Sequence, residues 1–120
     1  AINTIGMAAC YSPNGNHPEL PFDIETGRIK PDVWKRWLEH DPVRLVEKYR
    51  DALCSLNLLF LDAGRNDEFN LDAGARILSN ELNKYRVPHI HEEFDGGHFS
   101  VSYRFDRSLE LVEAAISSSY

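Results

Sequence analysis

Apolar and polar positions along this chain follow two rhythms. Leu56, Leu58, Leu59, Phe60 and Leu61 form an apolar run ending at Asp62, the pattern of a strand buried on both faces. Pro88-His89-Ile90-His91-Glu92-Glu93-Phe94 predicts a second strand. Between them, Leu71, Ala75, Leu78, Leu82 and Tyr85 recur at helical spacing, so a helix opens at Asn70-Leu71-Asp72 and ends before Val87-Pro88. An earlier amphipathic helix starts at Asp41-Pro42, with Leu45, Val46, Tyr49 and Leu53 on its apolar face. A later one carries Phe105, Leu109, Val112 and Ile116. The small, apolar stretch from Ala1 to Cys10 reads as a further buried strand. Residues 11–31 hold too many prolines and glycines for a regular element, and Pro31 to Leu38 offers a short helix with Trp34, Trp37 and Leu38 on one side. The order is strand, insertion, helix, strand, helix, strand, helix. Such alternation predicts an α/β fold with a parallel sheet.

Composition narrows the function classes. A net charge of −6 gives no electrostatic case for binding nucleic acid or an anionic membrane. No apolar run approaches the roughly 20 residues that span a bilayer, and Ala1-Ile2-Asn3 lacks the basic start of a signal peptide. A cytoplasmic location is the expectation. Cys10 and Cys54 are too few for a disulfide scaffold and read as buried free thiols.

The candidate chemistry lies where the predicted strands end, because open parallel sheets gather reactive groups beyond their carboxyl edges. Asp62, Asp67, Asp95 and His98 all fall there. Gly64 and Gly96-Gly97 can supply sharp turns with φ > 0 that aim Asp67 and His98 at each other. A histidine acting as a general base needs an acid on Nδ1 to fix its tautomer, and Asp67 is the candidate partner, with Asp62 the rival. Glu68 reads as a solvated neighbour, and Asp95 as a brace for its turn. His89 and His91, two apart on a strand, are a zinc alternative with Glu93 or His98, although solvent-facing strand histidines are the commoner case. Neither Ser12 nor Ser100 sits in a nucleophile elbow.

The stretch from Leu58 through Asp62-Ala63-Gly64-Arg65-Asn66-Asp67-Glu68-Phe69, followed by Phe94-Asp95-Gly96-Gly97-His98 and Tyr103-Arg104, resembles the C-terminal part of α/β-hydrolase esterases. The group it is most similar to includes esterase D and enterochelin esterase. The likeness is strongest over residues 55–112. It implies a three-layer αβα fold with parallel strands, in which residues 1–120 are a single C-terminal portion and residues 11–40 a cap-like insertion. It also implies a serine hydrolase of small-molecule carboxylic esters, with Asp67 as acid and His98 as base and no cofactor or metal. The family's Gly-x-Ser-x-Gly elbow occurs nowhere in these 120 residues. The nucleophile is therefore expected upstream, and this chain by itself is expected to be an inert fragment. A fragment opening on a buried strand is expected to expose that strand's edge and to self-associate through it. The competing expectation is a non-enzymatic α/β binding or assembly module.

Overall fold

A computed structural model describes residues 2–117. It mixes helices with two small sheets, and the chain divides into two compact units, one ending at Leu45 and the other starting at Val46.

The first unit opens on α1 (Ile2–Tyr11), where the apolar pattern had predicted a strand. A short apolar run cannot separate the two by periodicity. A helix satisfies its backbone internally, whereas a strand needs a neighbour to bond. Only Ala8 of α1 is buried, and Ile2, Ile5 and Met7 face solvent. An association through the edge of a first strand thus loses its premise, since there is no strand at these residues. Cys10 on this helix is a free thiol but exposed rather than buried.

After α1, β1 (Pro13–Asn14) and β2 (His17–Pro18) make a minimal antiparallel hairpin around Gly15, whose φ of 58° suits glycine. Ser12, fully buried, knits this unit together. Its hydroxyl donates to Glu19 O (2.6 Å) and accepts the Trp37 indole N–H (2.8 Å). Trp37 lies on α2 (Pro31–Leu38) and packs edge-on against Tyr11, while the Arg36 guanidinium pairs with Glu19. The α3 helix (Pro42–Lys48) begins as the sequence predicts: Asp41 Oδ1 accepts the Val43 N–H at 3.0 Å, and Asp41 O accepts that of Leu45. The expected single helix to Leu53 is broken. The backbone turns at Tyr49 (φ −106°, ψ 15°) into α4 (Arg50–Cys54), and Arg50 Nε then reaches Tyr85 O.

The second unit is built on β3 (Phe60–Gly64), α5 (Leu71–Lys84), β4 (Ile90–Phe94) and α6 (Arg104–Ser117). The strands β3 and β4 pair in parallel, Phe60 opposite Ile90 through Gly64 opposite Phe94. The ladder starts four residues later than the apolar run. Its partner sets that limit, because Pro88 has no N–H to donate and the Ile90 N–H bond to Leu59 O is its first rung. Val46, Leu82 and Val87 form the core, with Leu53, Cys54, Leu59, Leu61, Leu78 and Tyr85 packed around them.

The end of α5 is a full Schellman motif. Val87 N–H bonds Leu82 O, Arg86 N–H bonds Asn83 O, and Val87 meets Leu82 in the core. Arg86 takes the left-handed conformation (φ 57°) that glycine usually supplies.

Asp62 lies within β3 rather than beyond its end, directly opposite Glu92. Two carboxylates in register on one face repel, so cations must reach them. Arg104 does so from α6, bonding both Asp62 oxygens (2.9 and 3.0 Å) and Glu92 (2.8 Å), while Arg107 also takes Glu92. The stripe of Phe105, Leu109, Val112 and Ile116 on α6 is where the periodicity put it, but it faces solvent instead of a core.

Candidate active site

Two turns meet beyond the carboxyl ends of β3 and β4. Arg65 N–H donates to Phe94 O and Asn66 N–H to Gly96 O, both at 2.9 Å, lacing one turn to the other. Asn66 Nδ2 reaches Asp95 Oδ1 at 3.1 Å, the bracing role expected of Asp95. The glycines serve a purpose other than the predicted one. None of Gly64, Gly96 and Gly97 has a positive φ; the left-handed residues nearby are Asn70 (56°) and Ser100 (60°). What Gly64 permits is proximity, because a β-carbon there would lie 2.4 Å from Gly96 O and 2.6 Å from Gly97 O.

This lacing brings Asp67 and His98 together. His98 Nδ1 lies 3.0 Å from Asp67 Oδ2. An ionised carboxylate only accepts, so Nδ1 carries the hydrogen and Nε2 is left as the basic nitrogen. Among the described residues no group bonds Nε2. The Asp67 side chain is only 6% exposed, against 38% for His98. Its other oxygen accepts the Phe69 N–H at 2.7 Å, an Asx-turn that fixes the carboxylate plane. Burial pushes the Asp67 carboxyl pKa up, but the Phe69 N–H and the His98 ring outweigh it and hold it below the ordinary value. The acid therefore stays charged beside the imidazole.

Asp62, the rival acid, is committed to Arg104 and does not approach His98. Glu68 is exposed, as a solvated neighbour of Asp67 would be, but it is also bonded. Its Oε2 accepts the His98 backbone N–H at 2.8 Å, and chiefly this bond holds the Glu68 carboxyl below its ordinary pKa. Phe69 and Phe99 stand edge-on to the His98 ring at centroid distances of 4.8 and 5.1 Å. A cavity of about 520 Å³, of the size that holds small molecules, opens onto the pair and is lined by Phe60, Leu71, Phe94 and Phe105 among others.

The remaining candidates lie apart from this pair. His89 precedes β4 and is turned to α5: Nδ1–H donates to Val87 O (3.0 Å) and Nε2 accepts from the buried Ser79 hydroxyl (2.7 Å). It shares no site with His91, whose Nε2 is buried without a bond. Among the described residues no three His, Cys, Asp or Glu side chains converge as a metal site. Ser12 is sealed in the first unit with its hydroxyl occupied, and Ser100 lies exposed two residues past His98. Among the described residues no helix is long and apolar enough to cross a membrane. No protein-family model matches the chain, and no curated protein matches it.

Proposed function

We propose that this chain carries the acid and the general base of a serine hydrolase acting on carboxylic esters. Its place in that enzyme would be the C-terminal part of a three-layer α/β-hydrolase fold, and the nucleophile would come from sequence preceding Ala1. The observation that carries the reading is the Asp67–His98 pair: an ionised carboxylate with a 6% exposed side chain on Nδ1, with Nε2 bonded by none of the described residues, beside a largely apolar cavity. The resemblance of residues 55–112 to esterases related to esterase D supports it.

In this reaction the serine hydroxyl loses its proton to His98 Nε2 as its oxygen adds to the ester carbonyl. Asp67 stabilises the imidazolium that forms, without taking the proton itself. His98 then gives that proton to the departing alkoxide, and the acyl group stays on the serine. A water molecule, deprotonated by the same Nε2, releases the acid. Phe60, Leu71 and Phe94 would pack against the apolar portion of the ester.

The complete gene product, treated with a fluorophosphonate probe and mapped by peptide, should carry the label on a serine outside these 120 residues. In that protein His98→Ala should lower kcat/KM by roughly 10⁴-fold or more, and Asp67→Asn by about 10⁴-fold. Wild-type ester turnover in His98→Ala, or a label on Ser12 or Ser100, would overturn the assignment.

A further inference from the structure

We propose that Glu68 is a positioning residue for His98, holding its backbone while Asp67 holds its ring. The proposal rests on His98 acting as the base.

An imidazole is aligned only if its Cα is fixed as well as its ring. His98 lies on the irregular segment between β4 and α6, so no strand or helix fixes it. Gly96 O is tied to Asn66 N–H, and Arg104 N–H closes back on Val101 O. Between these points the anchor seen on the backbone is the 2.8 Å bond from His98 N–H to Glu68 Oε2. A charged acceptor makes this about twice as strong as a neutral bond. Consecutive residues of the β3–α5 turn thus grip one histidine at two points, Asp67 at Nδ1 and Glu68 at the main chain.

Gly97 completes the grip. A β-carbon there would fall 2.8 Å from Glu68 Oε1 and 2.9 Å from Oε2, so the carboxylate sits where any larger residue would displace it. Glu68 itself is exposed, and without it the His98 N–H can turn to water. Its loss should therefore barely move stability while it frees the ring. That combination separates positioning from simple structural support.

The test is ring-nitrogen NMR of the histidine-labelled chain, with His98 picked out from the five histidines by its absence in His98→Gln. The wild type should show His98 as a single tautomer, Nδ1 protonated and Nε2 bare. Glu68→Ala should give a mixture of tautomers at nearly unchanged melting temperature. Glu68→Gln, whose amide oxygen still accepts the N–H, should restore the single form. Gly97→Ala, which displaces the carboxylate without removing its charge, should repeat the mixture and serves if Glu68→Ala does not fold. In the complete hydrolase Glu68→Ala should lower kcat by about 10²-fold, the effect of a misplacement of about 1 Å. A single tautomer retained in Glu68→Ala, or lost equally in Glu68→Gln, overturns the positioning role. A mixture already present in the wild type overturns the acid–base pair itself, and the proposal with it.

Discussion

A methyl group on residue 64 would fall 2.4 Å from the Gly96 carbonyl oxygen and 2.6 Å from that of Gly97. Those neighbours are backbone, so no rotamer change relieves the clash and the two turns must part. Gly64→Ala should cost about 1–3 kcal/mol in urea unfolding, as overpacking does, and should lengthen the Asp67–His98 bond. A variant with wild-type stability and an intact His98 tautomer would show that the turns tolerate separation. At this scale the sequence was informative about identity but not about geometry. Asp67 and His98 could be singled out because each follows a strand that its apolar residues announce. Glu68 could not, since adjacency to an acid says nothing about a backbone amide 30 residues on. Nor could the commitment of Asp62 to Arg104, which spans 42 residues and obeys no local spacing.

Elements were legible where their pattern was long and their partner local. The α5 and α6 helices appear at the predicted positions because their apolar residues repeat over several turns. The α1 segment differs from its expected strand because so short and largely apolar a run fits either element and only the surroundings decide. The β3 boundary moved because strand length belongs to the pair rather than to the strand. The close of α5 carries its own cost. Arg86 has a β-carbon in a conformation that disfavours one by roughly 1–2 kcal/mol, while glycine would lose more entropy on folding. Arg86→Gly should therefore stabilise the chain by about 0.5–1 kcal/mol in thermal or urea unfolding. Destabilisation would mean that the arginine side chain contributes more than its backbone strain removes.

Several carboxylates spread along the chain are bound to partners that keep them ionised. Arg36 and Asn14 hold the Glu19 pKa down, Thr26 that of Asp23, Arg107 that of Glu92 and Arg76 that of Glu93; Asp67 joins them through the His98 turn. A carboxyl whose pKa is lower folded than unfolded adds stability that is fully present above its unfolded value of about 4. That stability disappears as pH falls through the lower, folded value. The urea midpoint should then be flat from neutral pH to about pH 5 and fall steadily below about pH 4. A midpoint unchanged at about pH 3 would mean that these contacts add little to folding.

The lacing of the two turns has a consequence in time as well as in space. Asp67 and His98 lie 31 positions apart in the chain, and α5 and β4, of 14 and 5 residues, make up most of what lies between them. Closing a loop of that length costs little more entropy than closing one half as long, and the intervening helix and strand shorten it further. Pairing β4 with β3 therefore brings the two turns within reach of each other, and the bonds from Asp67 and Glu68 then fix the histidine. A chain in which β4 has left β3 would keep both residues and lose the site.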